Sequence, residues 1–305
     1  MKSILFRLKF KSMYLRKMTY LLWITVLLFT SCAQLTDGNT DAPEWTLASV
    51  DEPDQIEIVT WNVQNFPKSG ETIDRLQAIL DSLHADIYCF QEIENTASFQ
   101  RMFRNIPDYE TVISTETYMM HYVIAWQKEE FSALNIQELF EDDSYFFASR
   151  PPLNVEFRWN RGDSLFIFNV ADIHMKAMGD ASSRERRHQA SEIIAEYLLA
   201  QDPAESPWII AGDWNDDVTT SSGQYSFEAL LDHPDDFLFV TAELAKDPDF
   251  ASYPGWPSFI DNILITRALF EAHEHATVTT LRLDKIFTDY FEVLSDHRPV
   301  MYTFK

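Results

Sequence analysis

Asp213 and Asn215 stand two residues apart at the end of a short apolar run, Ile209-Ile210-Ala211-Gly212, with Asp216 and Asp217 close behind. The run is bounded by Pro207 and Gly212 and reads as a buried strand. Glycine at its end permits a tight turn where a side chain would obstruct. A carboxylate at the mouth of a sheet can orient a water or take its proton, and an amide can hydrogen-bond a phosphate oxygen. That is also where α/β proteins tend to place ligand sites. Taken alone, the stretch reads as readily as a polar turn capped by Asp and Asn.

Five other strand ends carry polar residues where a core would not want them. Asn62 follows Ile58-Val59-Thr60-Trp61, and Glu92 follows Cys89-Phe90-Gln91. His174 closes Asp172-Ile173-His174, Asp261 follows Ser258-Phe259-Ile260, and Asp296-His297 precedes the last apolar run. Each has an ordinary explanation by itself: a turn former, a solvated edge, a half-buried histidine, a turn cap, a loop. Their joint occurrence with Asp213 and Asn215 is what points to a site.

The elements that must position them alternate. Gln55–Trp61 reads as a strand, and Thr72–Leu83 as a helix with Ile73, Leu76, Ile79, Leu80 and Leu83 on one face. Asp86–Gln91 and His121–Trp126 are short apolar strands. Val155–Trp159 and Ser164–Val170 flank Asn160-Arg161-Gly162-Asp163 as a hairpin. A helix from about Ser183 aligns Ala190, Ile193, Ile194, Tyr197 and Leu198, and strands follow at Trp208–Ala211, Asn262–Thr266, near Val278–Leu283, and at Val300–Phe304. Hairpins mixed with crossover helices predict an α/β fold with mixed sheets.

In order and local context these stretches resemble the endonuclease/exonuclease/phosphatase superfamily, which includes pancreatic deoxyribonuclease, exonuclease III, bacterial sphingomyelinases and inositol-polyphosphate 5-phosphatases. The resemblance runs from about Ile56 to Phe304. It rests on Thr60-Trp61-Asn62-Val63-Gln64-Asn65, Phe90-Gln91-Glu92, Gly212-Asp213-Trp214-Asn215, Ile260-Asp261-Asn262-Ile263-Leu264 and Ser295-Asp296-His297-Arg298-Pro299-Val300. It implies a four-layer sandwich, two mixed β-sheets packed face to face with helices outside. It further implies a Mg²⁺ ion (Mn²⁺ a substitute) on Glu92, with Asn62 beside it and Asp296 contributing. Asp213 would then orient or deprotonate the attacking water, Asn215 hold a phosphate oxygen, and His297, paired with Asp261, hydrogen-bond the scissile phosphate. His174 matches the additional histidine that deoxyribonuclease-like members use near the leaving group, and Arg150 an arginine that reaches phosphate.

The chain departs from that branch at Met120, which stands where a glutamate would orient the second histidine. Glu116 is the nearest acid, and Asp172 is an alternative partner for His174. Lys176, Arg184, Arg186 and Arg187 form a basic cluster, read as solvated first-turn residues in preference to a substrate track.

The first 31 residues resemble a secretory signal. Lys2 to Lys17 carry only positive charges, an apolar run follows at Tyr20–Phe29, and Thr30-Ser31-Cys32 resembles a lipobox in which Cys32 is acylated. Met13 and Met18 offer alternative starts. Residues 32–53 form an acidic tether, and residues 54–305 the enzyme domain. Residues 1–31 hold six Lys and Arg and no acid, so the remainder sets 18 bases against 48 acids, a net charge of −30. That field opposes polyanions and anionic membranes. With Cys32 acylated, Cys89 has no intrachain disulfide partner and reads as a small buried hydrophobe. The expectation is an exported, membrane-anchored, monomeric phosphoester hydrolase, endonuclease-like, with a phosphatase or lipid phosphodiesterase acting on a smaller head group as the alternative.

Overall fold

The structure is a computed structural model and describes residues 47–117, 119–161 and 165–305. The signal segment, Cys32, most of the tether and the tip of the hairpin at Gly162-Asp163 lie outside the described residues.

In chain order the elements begin with β1 (Ile56–Phe66), α1 (Thr72–Leu83), β2 (Ile87–Ile93), α2 (Thr96–Phe103), β3 (Tyr109–Ile113) and β4 (His121–Gln127). Next come β5 (Phe131–Glu138), β6 (Leu153–Trp159), β7 (Phe166–His174), α3 (Ala181–Ala200), β8 (Trp208–Asp213), α4 (Ser221–Ser226) and α5 (Glu228–Leu231). The last are β9 (Phe237–Phe239), β10 (Asp261–Thr266), α6 (Phe270–His273), β11 (Thr277–Thr280), α7 (Tyr290–Val293) and β12 (Val300–Phe304).

The strands form two six-stranded sheets, ordered β11-β12-β1-β2-β4-β3 and β5-β6-β7-β8-β10-β9. β1 with β2 and β7 with β8 run parallel, and every other pair is antiparallel. Alternation along the strands decides which side each residue faces. Ile58, Cys89, Ile124, Val170, Ile209 and Ile263 meet between the sheets. Val59, Trp61 and Phe90 turn outward beneath α1 and α2. Ile173, Trp208 and Ile210 turn outward beneath α3 and α5. The result is the four-layer sandwich with mixed sheets. Cys89 is a free, buried thiol in the central layer.

α1 occupies the expected residues because Leu76, Ile79, Leu80 and Leu83 recur at helical spacing and are all buried. His84 ends it in a left-handed conformation, its N–H on the Leu80 carbonyl. Asp180 starts α3 by accepting from the N–H groups of Ser182 and Ser183. β1, β7 and β8 run further than expected, through Asn62, His174 and Asp213 respectively. Those polar residues stay in their strands because they bond one another across the sandwich. Among the described residues, no helix is long and apolar enough to cross a membrane.

Candidate active site

The parallel pairs aim their C-terminal ends at one rim. Strand register then lines up three of the residues: His174 of β7 lies opposite Asp213 of β8, and Asp213 lies opposite Asp261 of β10. Gly212 makes this alignment possible. A Cβ there would sit 2.0 Å from the Ile173 carbonyl oxygen, and the backbone holds φ at 154°, so only glycine lets β8 approach β7 so closely.

The other sheet delivers Asn62 and Glu92. Registers shift after Asn62 in β1 and after Phe90 in β2, and the backbone turns left-handed at Gln64, Asn65 and Glu92. Such bulges re-aim side chains at a strand's end. The Asn62 amide donates to Glu92 Oε1 and to Asp213 Oδ2, each at 3.0 Å, while its oxygen accepts from the Gln64 N–H at 3.0 Å. Glu92 Oε2 accepts from the Asn65 N–H at 3.0 Å. Asn62 therefore ties the two sheets together at the site.

Asp213 is the hub. Its Oδ1 accepts from the Asn215 N–H at 2.9 Å, and its Oδ2 lies 3.5 Å from His174 Nε2 and 3.8 Å from His297 Nε2. Burial pushes Asp213 up to about 7; the charges of Asp261 and Glu92 add to this, while His297 and Asn62 pull the other way. His297 Nδ1 lies 2.8 Å from Asp261 Oδ2. Burial opposes the imidazolium, but the carboxylates of Asp261 and Asp213 outweigh it and push His297 up to about 10. Tyr253 packs on the same ring at a centroid distance of 5.0 Å. Asp296 is the most open of the acids, with Oδ1 3.9 Å from His297 Nε2 and its N–H on Gln64 Oε1 at 3.1 Å.

His174 is buried, with Nε2 3.9 Å from Glu92 Oε1. Its Nδ1 has no hydrogen-bond partner. Neither sequence candidate fills that role: Asp172 accepts from Gln91 Nε2 at 2.7 Å, and Glu116 is exposed, away from the buried ring. Burial, reinforced by the charges of Arg150, His297 and Lys176, pushes His174 well below its usual value. Nε2 is the ring nitrogen that faces the carboxylates of Glu92 and Asp213.

Arg150 and Arg187 turn inward, whereas Arg184 and Arg186 stay at the surface. Arg150 is buried, with Nη1 against Met120 Sδ at 3.3 Å and Nη2 donating to the carbonyls of His174 and Met175. Arg187 departs from the expectation of a solvated residue. It is 1% exposed, paired with Asp216 at 2.7 Å, and donates to the carbonyls of Lys176 and Met178. The signal was its place on the apolar stripe of α3, three residues before Ala190 and seven before Ile194. Arg186 stacks on Tyr145 at 4.2 Å and bonds its carbonyl, and Arg184 bonds the Gly179 carbonyl.

Two cation-sized groupings result. Glu92, His174 and Asp213 each bring one ligand atom within 4.8 Å of the others, and so do Asp213, Asp261 and His297. Buried carboxylate oxygens, with an amide between them, suit a hard divalent cation.

A sequence model described as the Endonuclease/Exonuclease/phosphatase family matches residues 59–297. The chain belongs to this family. Family members hydrolyse phosphoester bonds. No curated protein matches the sequence. Solved structures show the same fold at low identity. A humanised D. rerio TDP2 is 15% identical with a TM-score of 0.60, covering 82% of this chain and 99% of its own. The human Nocturnin catalytic domain, with bound sulfate, is 15% identical with a TM-score of 0.60, covering 86% and 97%. A Bacteroides thetaiotaomicron mannosyl-6-phosphatase is 15% identical with a TM-score of 0.56, covering 82% and 99%.

Proposed function

We propose that the chain is a Mg²⁺-dependent phosphoester hydrolase in which water attacks phosphorus in line with the leaving oxygen. The carrying observation is the single network that joins Glu92, Asn62, Asp213, His174, His297 and Asp261 across both sheets. Glu92 would hold the ion, with Asp213 and Asn62 beside it and Asp296 at the open edge. A hard divalent cation there supplies Lewis-acid stabilisation of charge on the phosphoryl oxygens. Asp213, with its pKa near neutrality, accepts the proton of the attacking water. His297, charged through Asp261, donates from Nε2 to a phosphoryl oxygen. Asn215 is aimed by its own bond to the Met175 carbonyl at 3.1 Å. His174, whose Nε2 lies 3.5 Å from the same Asp213 oxygen that His297 approaches, would protonate the leaving oxygen.

The test is a hydrolysis panel with purified protein, covering plasmid DNA, RNA, sphingomyelin, inositol phosphates and sugar phosphates. Glu92→Gln keeps shape but removes the charge that holds the ion. Activity should fall by orders of magnitude with an unchanged melting curve. Near-normal turnover at ordinary Mg²⁺ would sink the assignment.

Two substrate readings remain, and each has its own support. His174 favours an endonuclease-like phosphodiesterase. The inward engagement of Arg150 and Arg187 favours a small phosphoester, because nucleic-acid affinity normally comes from free Lys and Arg. For location we propose an exported lipoprotein anchored through Cys32, with the acidic segment as its tether. Cys32→Ser should release the protein from membranes or leave the precursor uncleaved. Unchanged fractionation and no acyl mass on the wild-type N-terminus would argue against the anchor.

A further inference from the structure

A second group of carboxylates lies at the far end of the first sheet. Glu57 enters β1 five residues before Asn62, about 17 Å away along the strand. Its side chain has no exposed surface, and neither of its carboxylate oxygens has a hydrogen-bond partner. Asp86, just before β2, is likewise buried; its Oδ2 accepts from the Glu57 N–H at 3.0 Å and its Oδ1 has no partner. Asp51 comes from the segment leading into β1, which the Val50 N–H ties to the Leu83 carbonyl at 2.8 Å. Asp51, Glu57 and Asp86 each offer one oxygen, and the three lie within 4.8 Å of one another.

Among the described residues, the charges around the group do not balance. Arg161 Nη2 bonds Glu130 and lies 3.7 Å from Asp51 Oδ1, and Glu130 keeps one buried oxygen unpartnered. His84 Nδ1 lies 3.5 Å from Asp51 Oδ2. Among the described residues, one guanidinium, with His84 beside Asp51, thus serves four carboxylates. Burial, followed by the charge of Asp86, pushes Glu57 up to about 9, and burial pushes Asp86 up to about 6. Three buried carboxylate oxygens without a donor, both of Glu57 and Oδ1 of Asp86, are costly unless something positive joins them. A shared proton would satisfy Glu57 and Asp86 and leave Asp51 to Arg161 and His84. A divalent cation would satisfy all three.

We propose that Asp51, Glu57 and Asp86 form a second divalent-cation site that clamps the entry segment of β1 to the start of β2. The donors are all oxygen and mostly dry. Ca²⁺ accepts protein carboxylates in irregular geometry, whereas Mg²⁺ keeps its waters, so the set suits Ca²⁺. Asp51 is half-exposed and gives the ion its route in. The site is structural and does not depend on the activity assigned to the rim.

The experiment uses the full chain, stripped with chelator and carrying Glu92→Gln to weaken binding at the rim. Ca²⁺ is titrated while melting temperature is read, and equilibrium dialysis gives stoichiometry. The expected result is about one Ca²⁺ per chain and a rise in Tm of roughly 3–8 °C. Glu57→Gln and Asp51→Asn, added separately, should each abolish the shift and that equivalent of bound Ca²⁺. Should Glu57→Gln fail to fold, Asp51→Asn decides alone, since it is half-exposed and conservative. No Ca²⁺-dependent shift in the parent, or a shift that survives Asp51→Asn, overturns the proposal. The first of these results assigns the group to a proton shared between Glu57 and Asp86.

Discussion

Arg150 Nη2 lies 3.1 Å from the carbonyl oxygen of His174 and 3.3 Å from that of Met175. The guanidinium therefore braces the end of β7 from behind. Met175 is shared further: its N–H donates to the Asp213 carbonyl at 2.8 Å, and its carbonyl takes the Asn215 amide. One arginine thus sets the height of three site residues through backbone.

Arg150→Lys should separate this bracing from direct phosphate contact. Lysine keeps the charge but loses the planar fork. Displacement of His174 and Asn215 should lower kcat by roughly 10–100-fold, since an ångström of misplacement can cost that much. KM should hold within about twofold, as expected when an interaction made only in the transition state is lost. A rise in KM with kcat unchanged would instead show that Arg150 touches substrate phosphate.

His174→Ala should damage phosphodiester cleavage well beyond any loss of stability. The ring is buried with Nε2 facing the site carboxylates, and general acid–base groups contribute roughly 10²–10⁴-fold. Its Nδ1 has no orienting partner, so the loss should fall near the lower end, about 10²-fold. Steady-state rates on the best substrate, with a melting curve on the same sample, check this. A folded variant within about threefold of wild type would make the histidine idle.

How much of this could be read from the chain varies with the kind of signal. α1 and β12 announce themselves through periodicity and occupy the expected residues. The edge strand β5 was missed because its pattern does not alternate: Leu134 and Ile136 are exposed, and a shift at Asn135 breaks the register. β3 and α2 also escaped notice, α2 being only eight residues long and started by Asn95 accepting from the Ser98 N–H. The site acids and histidines could be found because each ends a strand. The braces could not, because they join residues remote in sequence. Tyr122 holds the His174 N–H at 2.8 Å from another sheet, and no linear pattern marks that pairing.

A stability prediction concerns the loop that carries His297. Arg298 grips Asp284 in a bidentate pair at 2.7 and 2.8 Å and also donates to the carbonyls of Asp249 and Ala251. Burial alone would raise the Asp284 pKa, but the Arg298 guanidinium holds it below the usual carboxylate value. A lowered carboxylate stabilises the fold above its unfolded pKa and loses that contribution as pH falls through the folded one. Asp284→Asn should cost about 3 kcal/mol near neutrality, by leaving a buried guanidinium unpaired. The difference from wild type should shrink as pH drops from about 5 towards 3. Denaturant melts of both proteins across that range check it; a pH-independent gap would mean that packing, not charge, is lost.

The last prediction concerns substrate charge. Residues 32–305 carry a net charge of −30, so long-range repulsion should oppose a polyanion before any contact forms. Salt screens that repulsion, with a Debye length of about 10 Å at 0.1 M. Proteins that neutralise many phosphates with Lys and Arg do the reverse and lose affinity steeply as salt rises. Two arginines placed for such a track spend their donors internally: Arg150 on the His174 carbonyl and Arg187 on Asp216. At saturating Mg²⁺, kcat/KM on DNA should therefore stay flat or rise from low to moderate salt. A small phosphoester with one or two charges should respond less. A steep fall on DNA would mean that these side chains rearrange to grip a phosphate backbone, and the small-phosphoester reading would then give way to a dedicated nuclease.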